Sequence, residues 1–347
     1  DYLYAVTLQK RQLKGTAKDN AAYLLKLLAK QTSQLSIYTK SVAAVVLAGN
    51  NYAAEARDMV QSLKEYTVYK APMGRYFDTP KALYSWFDYR IPSQVAAIEA
   101  LQSVAPADVQ TVNEMKQWLL QSKRTQAWDT PVNSVNAVYA FFGGNAESLG
   151  ASKPMAVLKL NGQTLVMPKA TAGMGYVKTA KTGEKMKTLS IEKQTDGTSW
   201  GAVYAQFVQP TADVADAAEG MSVVREVLKN GKRIATDGET LAVGDRITVR
   251  IVINADRDYD FVQLADRRAA CLEPLGQLSG YRGDCYCEPK DNATNYYFDR
   301  LSKGKHVVET EYYVDRAGTY QTGTCTVQCA YSPEFGARTK AVALSVE

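Results

Sequence analysis

The feature that most limits what this chain can become is a change of hydrophobic period near residue 144. Before it, apolar residues recur every three to four positions; beyond it, they alternate. Leu24, Leu25, Leu27 and Leu28 sit at helical spacing, and Val42, Val45, Val46 and then Ala53, Ala54, Met59, Val60, Leu63 extend the pattern into further segments. Pro92-Ser93 opens another, with Val95, Ile98 and Leu101 on one face, and Ala105–Asp108 opens the next, carrying Val112, Met115, Trp118 and Leu119. Thr130-Pro131 sets up a last helix through Val135, Val138 and Tyr139, stopped by Gly143-Gly144. Five to seven antiparallel helices with short connections are expected, stacked as helical hairpins in a solenoid or in part of an α/α toroid.

From Met155 the period is two. Met155–Leu160 and Thr164–Met167 flank Asn161-Gly162, the strongest hairpin signal in the chain. Gly175–Thr179, Ile191–Lys193 and Trp200–Val208 read as further strands, and the Ala- and Asp-rich Gln209–Gly220 as a linker. Strands resume at Met221–Leu228, Arg246–Asn254, Tyr259–Leu264, His306–Val314, Thr319–Tyr331 and Thr339–Val346, the spacing of an antiparallel β-sandwich. The expected class is multidomain α + β, divided at 1–144 (helical), 145–212 (small β-domain) and 213–347 (sandwich).

A chain of 347 residues exceeds what one core supports, so two or three domains fit its length. The formal charge is +5, with bases interspersed among 36 acids, and the basic run Lys178–Lys187 suits a solvated hairpin better than a phosphate-binding patch. Nucleic acid is not an expected partner. No apolar run is long enough to span a membrane. The start at Asp1, without methionine or targeting segment, fits a mature or truncated chain.

All five cysteines follow residue 270. Cys285 and Cys287 share one face of an extended segment, as do Cys325 and Cys329. Their spacing is no standard zinc pattern, so no metal site is expected. A disulfide joining one of Cys285 or Cys287 to one of Cys325 or Cys329 is one reading; inert buried thiols are the other.

Four stretches carry a resemblance: Asp256–Val262 (DRDYDFV), Ala269–Leu275 (AACLEPL), Thr294–Leu301 (TNYYFDRL) and Val327–Phe335 (VQCAYSPEF). Together they resemble the terminal macroglobulin-like sandwich of bacterial alpha-2-macroglobulin-family proteins. Gln117–Gln121, Thr125–Trp128 and Ala137–Ala140 are similar to the last helices of that family's thioester-type toroid, and Trp200–Gln206 to the last strand of its CUB-like β-domain. The resemblance implies the C-terminal end of a broad-range peptidase trap of the cell envelope, periplasmic or extracellular. It implies proteases as partners of the full-length parent, contacts with upstream domains, and a membrane anchor outside this stretch. Tyr296, Tyr297 and Phe298 are candidates for interdomain packing on the same ground, with a place in the core as the competing reading.

The family's thioester needs Cys-x-Glu-Gln. Cys271-Leu272-Glu273-Pro274 imitates it, but proline stands where the acyl-donating glutamine must be. Neither a thioester nor a bait segment is expected here. The single histidine, His306, begins a strand and has no Gly-x-Ser-x-Gly elbow to serve. Asp256, Asp258, Asp260 and Asp266 lack the glycine turn and closing glutamate of a calcium loop. Gly173-Met174-Gly175 is no phosphate cradle, and Asn292-Ala293-Thr294 is a glycosylation triplet of a kind frequent by chance. The competing function is a polysaccharide lyase or carbohydrate binder, with Arg75, Tyr76, Trp86, Asp88, Tyr89 and Arg90 lining a sugar cleft; an envelope scaffold or adhesion protein is the third. No catalytic residue and no cofactor are expected.

Overall fold

The computed structural model describes every residue except 32–34, 80–89, 129, 143–155, 168–177, 184, 194–200 and 235–238. It divides into two units: Asp1–Ser122 with Trp128–Ala205, and Lys123–Ala127 with Gln206–Glu347. The expected Gly143-Gly144 stop, the Gly173–Gly175 segment, Trp86, Asp88, Tyr89 and Trp200 lie outside the described residues.

The helices are α1 (Tyr2–Leu8), α2 (Thr16–Ala29), α3 (Ile37–Gly49), α4 (Ala53–Glu65), α5 (Arg90–Val104), α6 (Val109–Thr125) and α7 (Pro131–Phe142). Helix α3 is the hub, packed against both α4 and α5. Its start is set by Ser36, whose Oγ accepts from Thr39 N at 3.2 Å and satisfies one orphan donor of the first turn. Ala43, Ala44 and Leu47 on α3 and Ala96, Ala97, Ala100 and Leu101 on α5 are buried, and small residues on both let the helices approach closely. The sequence pattern did not reveal a hairpin in this half, β1 (Thr67–Lys70) with β2 (Gly74–Phe77). Gly74, at φ 85°, is what seats it: a Cβ there would lie 2.3 Å from the Glu114 carbonyl of α6.

The small sheet consists of β3 (Val157–Leu160), β4 (Gln163–Thr164) and β5 (Leu189–Glu192), in the order β4-β3-β5. Asn161 and Gly162 take φ of 50° and 84°, the conformation for which Asn-Gly is suited. The strand expected over Trp200–Val208 is absent among its described residues 201–208, which are solvent-exposed and join no ladder.

In the second unit, β6 (Ala217–Glu219), β7 (Met221–Lys229), β8 (Lys232–Arg233), β9 (Thr240–Leu241), β10 (Arg246–Ala255), β11 (Tyr259–Arg267), β12 (Leu272–Pro274), β13 (Gly280–Arg282), β14 (Cys285–Pro289), β15 (Ala293–Leu301), β16 (Gly304–Val314), β17 (Gly318–Gln321), β18 (Cys325–Cys329), β19 (Ser332–Thr339) and β20 (Ala343–Val346) form a sandwich. One sheet runs β12-β16-β10-β7-β8, the other β13-β14-β15-β11-β18-β19-β6, and β17-β20-β9 makes a small third. The expected single strand Thr319–Tyr331 is two, β17 and β18, and Thr339–Val346 keeps only its second half as β20. Both large sheets end in strands of two or three residues.

Alternation builds the core. Ile247, Val249, Ile251 and Ile253 of β10 are buried, as are Val262 and Leu264 of β11, Tyr296 and Phe298 of β15, and Val327 of β18 in the other sheet. Two charges break the apolar pattern. Arg225 of β7 reaches across to Asp266 of β11, Nη1 to Oδ1 at 3.0 Å, with both side chains almost wholly buried. Arg225 Nη2 also donates to Thr322 Oγ1 at 2.7 Å and to the Gly323 carbonyl at 3.0 Å, so one guanidinium joins the two sheets and a connecting loop. Burial pushes the Asp266 carboxyl up from its ordinary value, and the Arg225 guanidinium opposes it.

Breaking such a pair leaves an uncompensated buried charge. Arg225→Met or Asp266→Asn is expected to cost about 3–5 kcal/mol each, with the double substitution costing less than the sum, measured by urea unfolding. In Arg225→Met the orphaned carboxyl holds its proton in the folded state at a pH where the unfolded chain releases it. Stability of that variant therefore falls as pH rises above roughly 4, the opposite slope to an ordinary ion-paired aspartate.

Candidate interaction corner of the sandwich

The two motif stretches Asp256–Val262 and Val327–Phe335 meet at one corner, through the β11–β18 ladder and the turn from β18 into β19. Its base is a stack. Arg257 lies over the rings of Tyr259 (5.6 Å) and Phe335 (5.2 Å) and makes a bidentate bond to its neighbour Asp256, Nε to Oδ1 at 2.7 Å and Nη2 to Oδ2 at 2.6 Å. The buried Tyr259 hydroxyl donates to Asp256 Oδ1 at 2.9 Å, and burial raises its pKa, so the phenol stays protonated. Gly220, at φ 71°, lets the chain pass over this stack: a Cβ there would lie 2.2 Å from the Tyr259 hydroxyl.

Above the stack, the corner presents aromatic rings and carboxylates. Phe261 is 46% exposed and Tyr331 67%, with the rings edge-on at 5.4 Å. Phe261 adopts φ 57°, a left-handed conformation costly for an aromatic residue, and its carbonyl accepts from Ala330 N at 2.8 Å. The segment Lys123–Ala127 belongs to this unit and lies on the same corner. Arg124 Nη1 pairs with Glu334 Oε1 at 2.5 Å, Gln126 Nε2 donates to the Asp258 carbonyl at 2.9 Å, and Ala127 N donates to Asp260 Oδ2 at 2.5 Å.

The four aspartates considered for calcium are thereby turned to different partners. Asp256 binds Arg257 and Tyr259, Asp258 binds Arg300 and Lys303 N, Asp260 binds Ala127 N, and Asp266 binds Arg225. Among the described residues no group of three metal-ligating side chains converges. His306 ties its Nε2 to the Ser302 carbonyl at 2.7 Å and sets its ring edge against Phe298.

The disulfide expected between Cys285 or Cys287 and Cys325 or Cys329 is not formed: all five cysteines are buried free thiols. The sheet order explains it. Strands β15 and β11 stand between β14, which carries Cys285 and Cys287, and β18, which carries Cys325 and Cys329. Three strand spacings hold the pairs about 14 Å apart, twice the ~7 Å Cα limit for a disulfide. Burial pushes the Cys285 thiol up to about 11 and raises the other four as well. Cys271, in the imitation thioester, is fully buried just before the edge strand β12, where Pro274 is tolerated.

Tyr296 and Phe298 take the core place that was the competing reading. They fill the sandwich interior, Tyr296 hydrogen-bonded to Thr310 across the sheets and Phe298 against His306; only Tyr297 faces outward, bonded to Glu288 at 3.2 Å. The described residues of the sugar-cleft reading are engaged as well. Arg75 Nε bonds Glu114 Oε2 at 2.7 Å, and Tyr76 stacks on the buried Trp118 at 5.9 Å. The inward Arg225 escaped sequence reasoning, although it holds the phase of Met221, Val223 and Val227; so does Asp266 relative to Val262 and Leu264.

Residues 220–334 match the sequence profile of the bacterial alpha-2-macroglobulin MG10 domain. The fold of the whole chain resembles trypsin-activated alpha-2-macroglobulin from Escherichia coli, at TM-score 0.52 and 12% identity, over 99% of this chain and 23% of that one. The elastase-activated Escherichia coli protein is similar at TM-score 0.47 and 15% identity, covering 98% and 34% of the two chains. A methylamine-reacted Salmonella alpha-2-macroglobulin is similar at 0.35 and 14%, covering 99% and 22%. The chain thus spans about a quarter of the length of the first of these. By sequence, no curated protein matches it.

Thiol titration tests the cysteine geometry. Because only thiolate reacts, the raised pKa values predict negligible alkylation of the native chain at neutral pH and reaction of all five thiols in guanidinium, even without a reductant. Recovery of three or fewer in the unfolded, unreduced chain contradicts it. Gly220→Ala places a methyl on the Tyr259 hydroxyl and is expected to cost about 2–4 kcal/mol of unfolding free energy, whereas Gly231→Ala, with open space around it, costs about 1.

Proposed function

We infer that this chain, which carries the MG10 domain of bacterial alpha-2-macroglobulins over residues 220–334, contributes to a broad-range peptidase-trapping inhibitor of the cell envelope. The match over the sandwich is the observation that carries the reading. In this reading residues 1–144 belong to the thioester-type helical toroid, 145–212 to the CUB-like β-domain and 213–347 to the terminal macroglobulin-like sandwich. Proteases are the partners of the full-length parent, and the setting is periplasmic or extracellular. Among the described residues no helix is long and apolar enough to cross a membrane.

The stretch is read as non-catalytic, and the side-chain chemistry supports that. Its thiols are buried and held protonated, His306 is tied to a backbone carbonyl, and the corner's carboxylates are each hydrogen-bonded. What the corner offers is rings and fixed charges, groups that recognise and dock. In a trap, such a domain takes part in the rearrangement that follows bait cleavage; it does not perform the cleavage.

The test uses the longest polypeptide that carries this chain. Incubated with several unrelated proteases, it is expected to block digestion of large protein substrates while small chromogenic peptides remain cleavable. Unimpeded digestion of large substrates sinks the trap. Release of unsaturated oligosaccharides from uronic-acid polymers by the same preparation would establish the lyase instead.

A further inference from the structure

The charge of the chain is not evenly spread. Residues 156–193 hold seven lysines against two acids, Glu184 and Glu192, so the remaining sequence, with 34 basic and 34 acidic residues, is neutral. The whole excess of +5 therefore belongs to the small three-stranded sheet and its connections.

The structure fixes part of this basic stretch in place. Asn161, in the turn between β3 and β4, holds the segment before β5 with its side chain: Oδ1 accepts from Lys187 N at 2.8 Å and from Thr188 N at 3.1 Å, and Nδ2 donates to the Lys185 carbonyl at 3.0 Å. Asn161 N donates in turn to the Thr188 carbonyl at 2.9 Å. Lys185 and Lys187 are thus carried on backbone pinned to a tight turn, and Lys178, Lys181, Lys185 and Lys187 are all exposed.

Apolar side chains of the same small sheet and its connections are exposed as well. Met186, between two lysines, is 47% exposed; Val166, just past β4, is 91% exposed, and Ile191 of β5 is 62%. Exposed apolar tips interleaved with lysines suit the boundary of a bilayer, where ammonium groups meet anionic headgroups and aliphatic tips enter the acyl region. A nucleic acid would call for guanidinium forks and several stacking rings, and the sequence of 156–193 holds no arginine and one aromatic residue, Tyr176.

We propose that Lys178, Lys181, Lys185 and Lys187, with Met186, form a binding surface for an anionic lipid bilayer. The surface goes beyond the trap reading and does not rest on it: it would hold the small sheet at a membrane whatever the sandwich docks against.

The experiment is cosedimentation of the full 347-residue chain with vesicles of phosphatidylcholine alone and with about one-third phosphatidylglycerol. Binding is expected to the anionic vesicles only, and to fade as salt is raised. Replacing the four lysines by glutamine should weaken partitioning by on the order of several hundredfold, at about fivefold for each lysine near the surface. Met186→Ser should weaken it severalfold while leaving the salt dependence unchanged. A control with Lys10, Lys14, Lys18 and Lys26 replaced by glutamine carries the same charge loss elsewhere and should bind like the parent; circular dichroism checks that each variant is folded. Equal binding to neutral vesicles, an equal loss in the control, or binding to DNA or heparin without binding to vesicles would overturn the proposal. Loss of protease trapping with vesicle binding intact leaves it standing.

Discussion

The sandwich depends on a buried ion pair that apolar packing alone would not require. Arg225 and Asp266 project from facing sheets, and the same guanidinium gathers Thr322 and Gly323 from the loop between β17 and β18. An apolar pair of equal volume would hold the sheets together as well or better, because the desolvation of two charges is expensive. What it would lack is direction. Apolar side chains tolerate a slide of one residue along a strand, whereas a fork of donors meets its acceptors in a single register. Thr294 with Tyr312 at 2.8 Å and Tyr296 with Thr310 repeat the device along the interior, each joining one sheet to the other.

The elements of this fold were largely readable from local pattern, and their neighbours were not. Helices α2 to α4 follow from the recurrence of leucine, valine and alanine, and β10 from an alternation broken only at Val252. Alternation also puts both cysteine pairs on inward faces. It says nothing about which strands lie side by side, since β11 closes its ladder with β18 across some sixty residues of intervening chain, and the expected disulfide failed on that point. Residues 201–208 show the converse: a strand-like sequence that joins no ladder among the described residues. The β1–β2 hairpin was missed because its signal is short and sits among helices.

At the corner, the sequence motif and the site coincide. Asp256–Phe261 and Ala330–Phe335 are distant in the chain, and a cation between two rings brings them together. Tyr296-Tyr297-Phe298 read in the sequence as packing residues, between domains or in the core. The pleat divides them, two rings inward and one outward, and alternation applied to that triplet alone would have said so. The corner's chemistry is that of recognition, in keeping with a domain whose thiols and histidine are all committed to structure.

The terminal strands of both large sheets are too short to act as templates. A bordering strand of two or three residues, such as β8, β12, β13 or β6, offers few unpaired backbone groups, so an extended segment from another molecule gains little by lining up beside it. Association through this sandwich must then be written in side chains, by shape and charge, and it can be undone without unzipping a ladder. A module of that kind can change neighbours without exchanging strands.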